Sequence, residues 1–184
     1  MSGLFDLKHQ LFVYGAHHHN KVNVFIHIVC IPLILWTSLV FSATTGPLVK
    51  TSLSLVEPNL AFFGMVVYAA YYLALDPVAG LIATPILFYC VRTATNFLHT
   101  QHHAVTIALA IHVFSWIAQF VGHGVYEKRK PKLLDNLVQA LILAPYFVLF
   151  EILFFLGYRP KLHAEWQADV EKDVRAFWAK KKQA

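Results

Sequence analysis

The stretch from Val22 to Phe41 reads VNVFIHIVCIPLILWTSLVF, and it decides the class of fold. It is apolar almost throughout and contains no Asp, Glu, Lys or Arg. A helix needs about 20 such residues to cross the hydrocarbon layer of a bilayer. The stretch therefore predicts a membrane-spanning helix that carries one ionisable side chain, His27.

The rest of the chain repeats this pattern. Of its 184 residues, 58% are hydrophobic and 14% are charged, and the mean hydropathy of +0.55 exceeds that of an ordinary soluble domain. We predict an all-α polytopic membrane helix bundle with four to five apolar segments, forming one transmembrane domain over residues 1–157. The four further segments are Leu60 to Leu75, Val78 to Leu98, Ala104 to Val121 and Leu137 to Leu156.

Residues 158–184 are predicted to form a separate amphipathic tail. Its apolar residues recur about every four positions, which is typical of one helical face. We expect this face to lie in the membrane interface, or to pack on a partner or on the ends of the bundle. The final Lys181-Lys182-Gln183-Ala184 resembles a dilysine endoplasmic-reticulum retrieval signal. The face comprises Trp166, Val170, Val174, Phe177 and Trp178.

Basic residues constrain the topology. Lys8, Lys21 and the cluster Lys128 to Lys132 are expected on the cytosolic side, which agrees with four crossings between them. The tail is also basic, so Pro145 and Glu151 suggest a kinked re-entrant hairpin that returns it to the cytosol. The net charge of +5 suits anionic lipid headgroups better than nucleic acid, which we exclude as a partner.

Histidine is unusually frequent, with eleven copies in the chain. An ionisable side chain inside a membrane segment indicates function, and neutral imidazole is the commonest protein ligand for metals. The alternative is that each ring hydrogen-bonds to a neighbouring helix. The histidines in or beside apolar segments are His17, His18, His19, His27, His99, His102, His103, His112 and His123.

Spacing limits which histidines can meet. His18 and His27 are nine residues apart, which places them on opposite faces of a straight helix, so His18 must sit on a separate turn before the first span. Asn20 and Asn23 supply residues suited to that turn. Neighbouring side chains cannot all point inward, so at most two of His17, His18 and His19 should bind.

His112 and His123 share one helical face, with Trp116 and Gln119 between them. Their spacing corresponds to roughly 16 Å along an unbroken helix, too far for one metal ion. Gly122 and Gly124 offer a departure from helical geometry. If the helix is straight, one of the two histidines is not a ligand.

A different arrangement occurs at His99, His102 and His103. The spacing H-x-x-H-H resembles one histidine box of membrane di-iron desaturases and hydroxylases, although the other boxes are missing. This leaves a lipid hydroxylase or desaturase as an alternative function, and a non-enzymatic membrane metal-binding protein as another. Cys30 and Cys90 predict no disulfide framework.

Two blocks resemble the fungal 2-hydroxy fatty acid dioxygenase family. The first is YGAHHHNKVNVFIH at residues 14–27, followed by Pro32. The second is HVFSWIAQFVGHGVYEKRKP at residues 112–131, which fits the signature W-x-x-Q-F-x-G-H-G-x-x-E-x-x-x-P. Asp135-Asn136 and Leu143-Ala-Pro145-Tyr also fit, so the resemblance extends over most of the chain.

The resemblance implies an Fe(II)-dependent, multi-pass enzyme of the endoplasmic reticulum membrane that acts in phytosphingosine breakdown. Its substrates would be a long-chain 2-hydroxy fatty acid and dioxygen, and its products the acid one carbon shorter and CO₂. Carried over, the metal ligands fall on His18, His27 and His123, with His112 the fourth. The substrate supplies the electrons, so no nicotinamide or flavin is required, and no G-x-G-x-x-G motif occurs.

Supporting roles are also expected at the site. Glu127, which we include with the four histidines as catalytic, either orients a ligand imidazole or pairs with Lys128 or Lys130. Lys21 or Arg129 is expected to meet the substrate carboxylate. Phe25, Trp116 and Phe120 are candidates to line the acyl chain, or they serve ordinary helix packing.

Overall fold

A computed structural model describes residues 3–50, 56–129 and 139–183 of the chain. Its helices are α1 (Leu7–Gly15), α2 (Lys21–Ala43), α3 (Leu60–Leu75), α4 (Pro77–Thr100), α5 (Ala104–Val121), α6 (Ala144–Phe155) and α7 (Pro160–Gln183). A π-helical turn at Gly122–Glu127 follows α5, and another at Gln139–Leu143 precedes α6. No β-strand occurs in the part of the chain that the structure describes, so the all-α prediction is confirmed.

The predicted apolar segments correspond to α2, α3, α4, α5 and α6. Three helices, Lys21–Ala43, Pro77–Thr100 and Ala104–Glu127, are long and apolar enough to cross a membrane, and α3 is shorter. Only 22% of the apolar window of Ala104–Glu127 is buried within the protein, so most of this apolar surface faces outward. Outward apolar surface on long helices is what a lipid environment favours, and it indicates a membrane protein.

Polar residues at the segment ends fix where α3 and α4 begin. The Asn59 side chain accepts a hydrogen bond from the Phe62 amide at 3.1 Å. Asp76 accepts from the amides of Val78 and Ala79 at 3.0 and 3.1 Å, and Pro77 occupies the first turn of α4, where a missing N–H costs nothing. These caps stop the apolar run from forming one long helix.

The chain divides into two compact units. One unit comprises Met1–Ile28 with Gln119–Ala184, and the other comprises Val29–Ala118. Within the first unit, α7 packs against α1: the Trp166 indole donates to the Leu11 carbonyl at 2.8 Å, and Val170 is buried. The apolar face predicted for the tail therefore contacts the protein's own first helix.

The expected kink at Pro145 and Glu151 is wrong. Pro145 lies in the first turn of α6, where proline is tolerated, and the helix continues past Glu151. The chain instead bends by 115° between α6 and α7. Gly157, which has a φ of 85°, follows the end of α6. Its amide donates to the Phe154 carbonyl, and the Tyr158 amide donates to the Leu153 carbonyl. This pair of hydrogen bonds is a Schellman motif.

The close packing of α3 against α4 can be tested at two glycines. A Cβ on Gly80 would lie 2.6 Å from backbone atoms of Leu73, whereas a Cβ on Gly64 would meet nothing within 4 Å. We expect Gly80→Ala to destabilise the protein by about 1–3 kcal/mol through overpacking. Gly64→Ala, the matched control, should be neutral or stabilising by up to ~1 kcal/mol. Thermal unfolding of both variants in detergent checks this, and equal midpoints would contradict the close approach of α3 and α4.

Candidate metal centre

Three of the predicted histidines come together in the first unit. The ring centroids of His18 and His27 are 4.4 Å apart, and each lies 4.8 Å from the His123 ring. One nitrogen from each ring can be chosen so that all three lie within 4.8 Å of one another. His27 and His123 are buried and His18 is half-buried. We call His18, His27 and His123 the histidine trio.

His18 lies on a short connection between α1 and α2, as its spacing from His27 predicts. The chain leaves α1 after Gly15 and enters α2 at Lys21. Asn20 assists the entry, because its side chain accepts from the Val22 amide at 2.9 Å. The break allows His18 to turn back toward His27, which a single straight helix would forbid.

Backbone carbonyls fix the orientation of two of the rings. His18 Nδ1 lies 2.8 Å from the Tyr14 carbonyl, and His27 Nδ1 lies 2.9 Å from the Asn23 carbonyl. A carbonyl only accepts, so each Nδ1 carries its proton and each Nε2 keeps a free lone pair. Burial lowers the pKa of His18 well below its usual value, and neighbouring His27 and His123 lower it further. The ring is therefore neutral at pH 7, the state that binds metals.

His123 reaches the trio from the π-helical turn after α5. Gly122 makes this approach possible, because a Cβ there would collide with the Asn23 side chain of α2 and lie 3.4 Å from Ile26. The wider turn of a π-helix is often found at functional sites. His123 Nδ1 is buried and has no hydrogen-bond partner among the described residues.

Glu127 is buried, and its carboxylate accepts hydrogen bonds from the turn between α1 and α2 and from Asn23. Its carboxylate accepts from the backbone amide of His19 at 3.2 Å, from that of Asn20 at 2.9 Å and from Asn23 Nδ2 at 3.1 Å. It therefore holds the turn that carries His18. Lys130 lies outside the described residues.

Arg129 also holds the scaffold together. Its guanidinium donates to the Ala16 carbonyl, pairs with Asp173 at 2.9 Å and lies 3.9 Å from the centre of the Phe177 ring. Its side chain is only 9% exposed. This position suits a link between α7 and the His18 turn better than a substrate contact.

The fourth predicted ligand, His112, forms its hydrogen bonds within the second unit. Its Nδ1 lies 2.7 Å from the Thr37 hydroxyl, and its Nε2 accepts from the Trp116 indole at 2.9 Å. Both nitrogens are therefore in use.

The H-x-x-H-H histidines do not converge either. Helix α4 ends at Thr100, so His99 and His103 do not share a helical face as the alternative requires. His99 Nε2 lies 3.0 Å from Glu57, and the His102 and His103 rings stack at 5.4 Å. All three histidines are exposed.

An open cleft of about 1030 Å³ lies beside the trio in the first unit. His18, Lys21 and Phe25 contribute to its wall from one side. Other lining residues come from α6 and α7, including Glu151, Trp166, Val170 and Val174. The wall is predominantly apolar, with cationic side chains at several points, which fits an amphipathic ligand.

The trio fits a metal ion. Two neutral imidazoles present free Nε2 atoms, and the third has a buried nitrogen without a partner among the described residues. Buried polar atoms are normally satisfied, so this nitrogen calls for a partner that the described residues do not supply. Imidazole suits iron, zinc and copper alike.

Sequence reasoning missed Tyr14 and the full role of Asn23. The Tyr14 ring stacks on the His18 ring, with the ring centroids 4.0 Å apart. The Tyr14 backbone carbonyl also accepts a hydrogen bond from His18 Nδ1. Asn23 accepts from His27 and donates to Glu127. Each lies four residues before the histidine that it holds, and this repeated spacing was the available signal.

Comparison with known proteins agrees with the resemblance in the two sequence blocks. The 2-hydroxy-palmitic acid dioxygenase MPO1 of Saccharomyces cerevisiae is 38% identical over 169 residues, which cover 92% of this chain and 92% of the yeast protein. No solved structure matches the chain. Residues 4–156 match the family described as 2-hydroxy-palmitic acid dioxygenase Mpo1-like. The chain therefore belongs to the Mpo1-like family.

Proposed function

We propose that this chain is an Fe(II)-dependent dioxygenase that shortens long-chain 2-hydroxy fatty acids by one carbon. The observation that carries the proposal is the histidine trio, three imidazoles with ligating nitrogens within 4.8 Å of one another. The yeast relative is a 2-hydroxy-palmitic acid dioxygenase, which supplies the substrate class. The apolar cleft beside His18 suits an acyl chain.

The reaction balances without a further reductant. A 2-hydroxy acid, R–CHOH–COOH, and O₂ give R–COOH, CO₂ and H₂O. The bond between C1 and C2 breaks, C2 is oxidised from an alcohol to a carboxylic acid, and C1 leaves as CO₂. The two carbons lose four electrons and dioxygen gains all four, so neither a flavin nor a nicotinamide is needed.

We assign the metal to His18, His27 and His123, and omit His112 because both its nitrogens are hydrogen-bonded. Iron(II) held by the trio supplies the redox chemistry that dioxygen requires and that zinc, with its filled d shell, lacks. Tyr14 and Asn23 hold the ligating rings through backbone carbonyls, and Glu127 acts as a positioning residue.

The substrate is proposed to lie in the cleft. Lys21, at the start of α2, is exposed and lines it, so its ammonium group offers a counter-charge for the carboxylate. Val24, Phe25 and Ile28 continue the wall as an apolar surface for the acyl chain. Trp116 instead donates its indole N–H to His112.

We further propose a multi-pass arrangement in the endoplasmic reticulum membrane, with a role in phytosphingosine breakdown. Helix α6 has twelve residues, about 18 Å, and is too short to cross alone. The 115° bend then allows α7 to lie along the interface on the side from which α6 enters.

The activity proposal predicts a specific product. Purified protein given Fe(II), dioxygen and 2-hydroxypalmitate should release pentadecanoic acid, detected by mass spectrometry. His18→Ala, His27→Ala and His123→Ala should each abolish the product, because each removes a proposed ligand. A product with unchanged chain length would favour a hydroxylase and contradict the proposal.

The matched controls for these variants are His102→Ala and His103→Ala, which remove exposed histidines of the H-x-x-H-H group. Both should retain wild-type rates. If they lose activity while His123→Ala keeps it, the metal lies at the other histidine group.

The positioning role of Glu127 predicts an effect on metal affinity. Glu127→Gln replaces one accepting oxygen by a donor that faces backbone N–H groups, so we expect a loss of about 2 kcal/mol in stability. The Kd for the metal should rise about 10- to 100-fold, because the His18 turn is less well held. Competition with a chelator measures this Kd.

Glu165→Gln serves as the control for Glu127→Gln, because Glu165 forms an exposed ion pair with Lys8. It should change neither quantity measurably. An unchanged metal Kd in Glu127→Gln would show that the carboxylate does not act through His18.

A further inference from the structure

Gln119 is a buried polar residue to which the proposed mechanism gives no role. It lies on α5, four residues before His123, and only 8% of its surface is exposed. Its Nε2 has no hydrogen-bond partner among the residues that the structure describes. A buried donor without a partner is costly within a membrane-spanning helix, which indicates that a ligand completes it.

The location of Gln119 follows from four contacts that the π-helical turn after α5 makes with the start of α2 and with Asn20 just before it. Glu127 contacts Asn20 and Asn23, and Gly122 approaches Asn23 and Ile26. Residues earlier in α5 are therefore expected beside residues later in α2. Gln119, about one turn before Gly122, lies at the level of His27, about one turn after Asn23.

The same face of α5 carries His123. Residues four apart in a helix share a face, so the Gln119 side chain and the His123 imidazole project toward the same side of α5. The donor of Gln119 and the Nδ1 of His123, both without a partner among the described residues, therefore belong to side chains on one face.

We propose that the Gln119 amide donates a hydrogen bond to the 2-hydroxyl oxygen of the substrate and so selects 2-hydroxy acids over unsubstituted fatty acids. This inference rests on the proposed function. A neutral amide matches a neutral hydroxyl, whereas a carboxylate calls for a cation, which Lys21 provides at the cleft. A site built around a substrate hydroxyl rejects the analogue that lacks it, since the buried donor then remains unpaired.

Ligand binding without turnover tests the assignment. Iron-loaded protein is titrated anaerobically with 2-hydroxypalmitate and, separately, with palmitate, and KM and kcat are then measured in air. In Gln119→Leu, we expect the Kd and KM for 2-hydroxypalmitate to rise about tenfold, the worth of one hydrogen bond. The Kd for palmitate should change less than about twofold, since its binding does not use the donor.

The ligand-free protein provides a second readout. Gln119→Leu removes an unpaired buried donor, so its unfolding temperature should equal or exceed that of the wild type, opposite to the effect on affinity. A merely structural glutamine would lower it. Gln119→Met is close in length to Gln and serves as a second variant if the branched leucine does not fit. It should give the same changes in affinity and in unfolding temperature as Gln119→Leu.

Ser115→Ala is the matched control, because Ser115 is a buried polar residue one turn earlier on the same helix. It should leave both affinities unchanged. Equal weakening of 2-hydroxypalmitate and palmitate by Gln119→Leu would overturn the proposal, and so would no weakening of either. If wild-type protein itself neither binds nor shortens 2-hydroxypalmitate, the proposed function fails as well. The wild-type result therefore distinguishes failure of the proposed function from failure of the Gln119 assignment alone.

Discussion

The Glu127 carboxylate is the interaction on which the rest of the site depends. It accepts the amides of His19 and Asn20 and the side chain of Asn23, all at the start of α2. The first amides of a helix have no partner within it and carry partial positive charge, so a buried carboxylate there is stabilising. The same contact joins the end of α5 to the turn that carries His18, and thereby brings His18 and His123 toward His27.

Close packing in the first unit requires glycine at two positions. Gly122 allows α5 to approach Asn23, and Gly15 allows α7 to approach α1, since a Cβ on Gly15 would lie 2.6 Å from Val170. Arg129 then connects the turn to α7 through Asp173. The amphipathic tail is in this way part of the wall of the cleft.

Much of this arrangement was predictable from local sequence. Apolar runs bounded by Asn59 and by Asp76-Pro77 locate the helices, because capping residues and proline act within a few positions. The nine-residue spacing of His18 and His27 required a break before α2. By contrast, the partners of Glu127 lie more than a hundred residues earlier in the chain, and no spacing rule connects them. The hydrogen bonds of His112 were only partly predictable: Trp116, one turn away, was a visible partner, but Thr37 becomes its neighbour only in the folded protein.

We propose that three histidines, and not four, hold one metal ion. The most direct measurement is the iron content of each purified chain after anaerobic reconstitution and removal of free metal, by inductively coupled plasma mass spectrometry. We expect stoichiometric iron in the wild type and in His112→Ala, and almost none in His27→Ala. Iron that is retained in His27→Ala, or lost in a folded His112→Ala, would contradict it.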